Sequence, residues 1–116
     1  MKEGDVILVP LPQADGQRKP RPAILLRTLP PFGDFLVCGI SSQLRQQVHG
    51  LDELILRTDI DFVGSGLQMD SLIRAGFLAI YTEQQVIGSI GEVSPERHRR
   101  VLKQLAEFLV STKPFA

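Results

Sequence analysis

The sequence predicts a mainly β (α+β) fold: a small, strongly bent barrel closed by one C-terminal helix. Two observations carry that expectation. Short apolar, β-branched runs recur along most of the chain, each bounded by proline, glycine or polar residues, as strands are. A single helical periodicity stands at the end of the chain. Short strands with apolar faces and one helix have few ways to bury those faces, and a bent barrel capped by the helix is one.

Residues 6–9, an apolar run after Gly4 and Asp5, read as a buried strand. Pro10 and Pro12 are expected to stop it. Residues 13–22 are polar and proline-punctuated and read as a mobile loop. Residues 23–27 and 35–41 read as the second and third strands, joined into a hairpin by a turn at 29–34. Residues 43–50 are irregular, 51–56 alternate weakly as an edge strand does, and 59–69, with Gly64, Ser65 and Gly66, read as a loop. Residues 72–80 and 85–93 supply two further strands. Gly88 and Gly91 in the latter point to sharp bending or close backbone approach. The helix is expected over residues 95–110: Ser94 is a suitable cap and Pro95 suits the first turn. Val101, Leu102, Leu105, Phe108 and Leu109 share one face, leaving Arg97, His98, Arg100 and Lys103 for a solvated face.

With 116 residues and 43% hydrophobic content, the chain supplies one domain, residues 1–116, with one modest core. A chain this size buries about two-thirds of its unfolded surface, so pairing with a second copy would help it. The formal net charge is zero. That excludes a uniformly basic nucleic-acid binder and confines any such site to a local cationic patch. Cys38 lies in an apolar run and reads as a small buried hydrophobe rather than a nucleophile. One thiol and two histidines, His49 and His98, lack metal-ligand spacing, so neither metal nor cofactor is expected. No basic start leads into a long apolar segment, and no run approaches the ~20 apolar residues of a membrane span. A cytoplasmic protein without a membrane partner is the expectation.

Three segments, in order, carry a family likeness: GDVILVPLP from Gly4, KPRPAILL from Lys19 and FLVCGISSQ from Phe35. They resemble the PemK/MazF toxins of type II toxin–antitoxin pairs, which open on a Gly-Asp strand, continue through a loop to Arg-Pro-Ala and an apolar strand, and end a further strand near Ile-Thr-Ser-Gln. GLQMDSLIRA from Gly66 is similar to a later stretch of the same family. The resemblance implies an SH3-like β-barrel, usually homodimeric. It implies a metal-independent endoribonuclease that cuts single-stranded RNA, such as mRNA, at short sequences. It further implies a cognate antitoxin whose tail covers the RNA groove, and operator DNA bound through the antitoxin complex. Residue by residue, it assigns catalysis to Arg21 and Ser41, the latter where the family usually has Thr. It assigns RNA binding to Arg18, Lys19, Ser42, Gln43, Arg45 and Arg74. The chain departs from the pattern after Arg74: relatives often have Asp two residues on, and sometimes another Arg beyond, where this sequence has Gly76 and Ala79.

The chemistry fits these residue types. Metal-free RNA cleavage uses the ribose 2′-OH as nucleophile and needs a base, positive charge for the phosphorane and a donor for the leaving oxygen. A guanidinium forks onto two phosphate oxygens and stays ionised, which suits Arg21 for charge stabilisation and not for proton abstraction. Pro20 and Pro22 restrict the backbone on either side of it. The Ser41 hydroxyl can donate to a phosphate oxygen, or it can satisfy a backbone group at the strand end. With Gly76 in place of a carboxylate, the general base is unassigned; His49 could fill the role, although a lone His in a polar loop is more often simply exposed. An alternative reading is a non-catalytic, toxin-like binding module that acts on a protein target, or on antitoxin and operator DNA.

Overall fold

The computed structural model describes residues 1–12 and 15–111. Six strands form one curled, antiparallel sheet in the order β4-β5-β3-β2-β1-β6. They are β1 (Asp5–Pro12), β2 (Arg18–Leu29), β3 (Asp34–Ser41), β4 (Glu53–Ile55), β5 (Ser71–Tyr81) and β6 (Gly88–Glu92). One helical turn, α1 (Phe62–Ser65), and the C-terminal helix α2 (Pro95–Val110) complete the described fold, with 3-10 turns at Leu44–Gln46 and Glu83–Gln85.

Alternate residues of the central strands are buried on opposite faces of the sheet. On one face Val6, Ile24, Leu26, Cys38 and Ile73 pack with Val101 and Leu105 of α2. On the other, Ile7, Val9, Ala23, Leu25 and Val37 pack with Phe35 and Tyr81. A strand covered on both sides needs no polar alternation, so its sequence is an unbroken apolar run. Cys38 has no exposed surface, and burial pushes its thiol up to about 12, far from the thiolate a nucleophile needs.

The hairpin β1–β2 corrects two expectations. The prolines do not stop β1, and residues 18–22 of the loop expected at 13–22 are strand: the ladder continues through Leu8↔Pro22, Pro10↔Pro20 and Pro12↔Arg18. The reason is parity. Leu8 turns its carbonyl toward β6, where it accepts the Ile87 N–H at 2.8 Å. Pro10 and Pro12 share its orientation, and β6 pairs no further than Leu8. Their missing N–H groups therefore face a side with no neighbouring strand. Pro20 and Pro22 likewise point away from β1, and β3 pairs only from Ala23 onward. Proline is tolerated in a ladder where its nitrogen faces outward. Gln13 and Ala14, also within the expected loop, lie outside the described residues.

Three other segments differ in extent. The edge strand expected over 51–56 is only Glu53–Ile55, and the strand expected over 85–93 is only Gly88–Glu92. The expected loop 59–69 contains the turn α1, which packs on β6 at van der Waals limits. A Cβ on Gly66 would lie 2.1 Å from the Ile90 oxygen, and one on Gly91 would lie 2.2 Å from the Gly64 oxygen. Close approach thus accounts for Gly91, whereas Gly88 has open space.

Helix α2 begins as its sequence dictates: the Ser94 Oγ accepts the Arg97 N–H at 3.1 Å and Pro95 opens the first turn. Its polar face does not. Arg97 is buried, its guanidinium held by Asp61, Asp59, Glu53 and the Leu54 carbonyl. His98 Nε2 donates to the Leu26 carbonyl at 2.9 Å. Phe108 and Leu109, expected on the apolar face, are exposed, whereas Val101 and Leu105 are buried. No helix among the described residues is long and apolar enough to cross a membrane.

Candidate functional site

Strand register puts three of the family-matched side chains on one face. Ala23 belongs to the second core and pairs with Gly39. Arg21 lies two residues before Ala23, Ser41 lies two after Gly39, and Gly39 pairs with Arg74. With the two-residue period of a strand, all share a face. There they line a groove of about 640 Å³ together with Ser42 and Gln43. Leu8 and Leu11 of β1, the Gly66–Met69 stretch, Ser71 and Ile90 also line it. Ile90 reaches the groove because β6 bulges there: Val6 pairs with Gly91 and Ile7 with Ser89, leaving Ile90 unmatched.

A larger bulge interrupts β5. Gly39 pairs with Arg74 and Cys38 with Leu78, so residues 75–77 face no partner on β3. Asp52 anchors this bulge. Its Oδ1 accepts the Ala75 N–H at 3.1 Å and its Oδ2 accepts the Val48 N–H at 2.9 Å. Gly76 and Phe77 are lifted to the surface. The Phe77 ring folds back over Gly39, with the Arg74 guanidinium 5.3 Å from its centroid. A Cβ on Gly76 would meet only Leu51, at 3.5 Å, so the position has room for a side chain.

The Ser41 Oγ accepts the Gln43 N–H at 3.0 Å. That contact uses a lone pair and leaves the hydroxyl proton free to donate into the groove. Gln43 continues into the 3-10 turn that carries Arg45. Arg45, Arg18, Lys19 and His49 are exposed and do not line the groove. Arg18 instead donates to the Pro10 carbonyl at 3.2 Å. The groove lining contains, among the described residues, two guanidinium groups and no carboxylate, imidazole or lysine. Among the described residues, no group of three His, Cys, Asp or Glu side chains is placed to hold a metal ion.

Sequence reasoning missed Asp52 and Gly39, which shape the site without lining chemistry of their own. For Gly39 the available signal was a glycine inside an apolar strand run, which often marks a close backbone approach. Asp52 had none, because an aspartate accepting two backbone N–H groups looks like any loop aspartate.

A comparison with curated protein sequences gives no match. Among solved structures, a Mycobacterium tuberculosis toxin, MazF-mt6, is similar with a TM-score of 0.67 at 14% identity, over 90% of this chain and 95% of that one. At that identity the likeness concerns the fold. The family model for the PemK-like, MazF-like toxins of type II toxin–antitoxin systems matches residues 2–109. The curled sheet, the groove and that match over nearly the whole sequence agree: the chain belongs to the PemK-like, MazF-like toxin family.

Proposed function

We propose that this chain is the toxin of a type II pair and a metal-independent endoribonuclease that cuts single-stranded RNA at short sequences in the cytoplasm. The observation that carries the reading is the convergence of Arg21, Ser41 and Arg74 on one groove. The 2′-oxygen attacks phosphorus, the bond to the 5′-oxygen breaks, and the products are a 2′,3′-cyclic phosphate and a 5′-hydroxyl. Arg21 stabilises the charge on the phosphorane oxygens, and the Ser41 hydroxyl donates to one of them. Arg74, Ser42 and Gln43 hold the chain along the groove, while Arg18, Lys19 and Arg45 attract it from outside as a diffuse cationic rim. Among the described residues, none that line the groove is a carboxylate or imidazole, so the 2′ proton passes to water and the leaving oxygen takes one from water. The rate is accordingly low. The groove also accommodates the tail of a cognate antitoxin, and the pair binds operator DNA.

Mapping the 5′ ends of a long RNA treated with purified protein, with and without chelator, tests this. Cleavage at a short recurring sequence, leaving 5′-hydroxyl ends and unaffected by chelator, is the expected result. The vacant Gly76 position favours a second reading, a non-catalytic binding module directed at a protein target or at antitoxin and operator DNA. Intact RNA after prolonged treatment would decide for that reading.

A further inference from the structure

Among the described residues, Phe77 is the one aromatic side chain lining the groove. It is 38% exposed, and the bulge of residues 75–77 exists on the strand that carries it. The ring rests on Gly39, where an added Cβ would lie only 3.2 Å from Cδ1. A side chain there would require the ring to shift by a few tenths of an ångström. Arg74 holds the ring by a cation–π contact at 5.3 Å. A planar guanidinium against an aromatic ring, open to a groove that also carries Arg21, is the composition of a nucleobase-stacking site. Phosphates find cations, and a base finds a flat apolar or guanidinium surface. We propose that the Phe77–Arg74 pair is the platform on which one base of single-stranded RNA stacks. This rests on the endoribonuclease reading and adds how the substrate is held.

The competing explanation is that Phe77 only covers the bare backbone at Gly39, as aromatic side chains do beside sheet glycines. Leucine separates the two, since it supplies apolar cover without a π face. A tryptophan supplies a larger face. The probe is a non-cleavable 2′-O-methyl oligonucleotide containing a site cut by the wild-type protein, with a single 2-aminopurine moved along it. Wild-type protein should change the 2-aminopurine emission strongly at one position. Phe77→Leu should abolish that change and weaken binding about tenfold, within the range reported for loss of one stacked base. On cleavable RNA it should raise KM by a similar factor while altering kcat by less than about twofold, the pattern of lost uniform binding. Phe77→Trp should retain the emission change and the affinity. Unaltered emission, affinity and KM in a folded Phe77→Leu would overturn the platform while leaving the endoribonuclease reading intact. Wild-type protein that neither binds nor cuts single-stranded RNA would overturn both.

Discussion

At the scale of single residues, Arg21 and Ser41 divide the work unequally. Arg21 emerges from β2 between two prolines whose nitrogens face outward, so its backbone is stiff where its side chain must aim. Arg21→Ala should lower kcat by about 10²–10³, the usual cost of losing one preorganised stabiliser. Arg21→Lys should recover little, because an ammonium lacks the planar fork. Ser41 also accepts a backbone N–H, so its hydroxyl is shared between that contact and the groove, and its side chain lacks the methyl that would restrict the rotamer. Ser41→Ala should therefore cost less than Arg21→Ala, and Ser41→Thr should raise the rate, since a β-branched side chain has fewer rotamers. Single-turnover cleavage of one RNA by the four variants ranks them; equal rates for wild type and Arg21→Ala would remove the guanidinium from the mechanism. The residue scale is also where sequence reading was weakest. Arg97 and Arg100 look alike on a helical wheel, yet Arg97 is buried and Arg100 is half exposed. The difference lies in Asp59 and Asp61, which local periodicity cannot place.

Those carboxylates act at the scale of elements, because Arg97 ties three of them together. Its guanidinium joins α2 to Glu53 and Leu54 of β4 and to Asp59 and Asp61 ahead of α1. Arg97→Met would leave Asp59 and Asp61 without the guanidinium that neutralises them, while Glu53 would keep only Arg100. Breaking a buried pair in this way typically costs about 3–5 kcal/mol, which a lowered urea midpoint would register; an unchanged midpoint would show that solvent supports the acids equally well. The same cluster sets an acid limit. Burial alone would raise the Asp61 carboxyl, but hydrogen bonds from Arg97 and the Ser94 N–H outweigh it and hold the group below its ordinary value. Glu3 is also held low: the Thr28 N–H, working against burial and helped by Arg27, does so. A group depressed in the folded state contributes stability that is complete above its unfolded value and lost as pH falls through the folded one. Stability should therefore hold at neutral pH and decline below about pH 4. Asp61→Asn should flatten that decline, and a slope identical to wild type would contradict the assignment. Elements were more legible than their limits. Strands buried on both faces left unbroken apolar runs, and Ser94-Pro95 marked the start of α2. The ends of β1 and β2 were hidden because proline reads as a breaker until the neighbouring strand is known.

At the scale of the whole molecule, the groove depends on strand order. The family likeness named Arg21, Ser41 and Arg74, but their meeting needs β5 beside β3 and β3 beside β2, and no local pattern encodes that order. The same order leaves apolar surface uncovered. Ile60, Val63, Ile80, Leu109 and Val110 are each more than half exposed, on a chain of 12.9 kDa whose apolar side chains are divided between two small cores. Scattered apolar residues are normal on a surface, but this many on so small a protein favour a second copy as cover. A homodimer is the expected assembly. Sedimentation at micromolar concentration should give twice 12.9 kDa. The melting temperature should rise with protein concentration, since association stabilises only the folded chain. Replacing Leu109 and Val110 together by Ser and Lys removes apolar surface without touching either core, so it should shift the mass toward a monomer if the last turn of α2 takes part. A single-chain mass for the wild type, with a melting temperature independent of concentration, would mean that the two small cores suffice on their own.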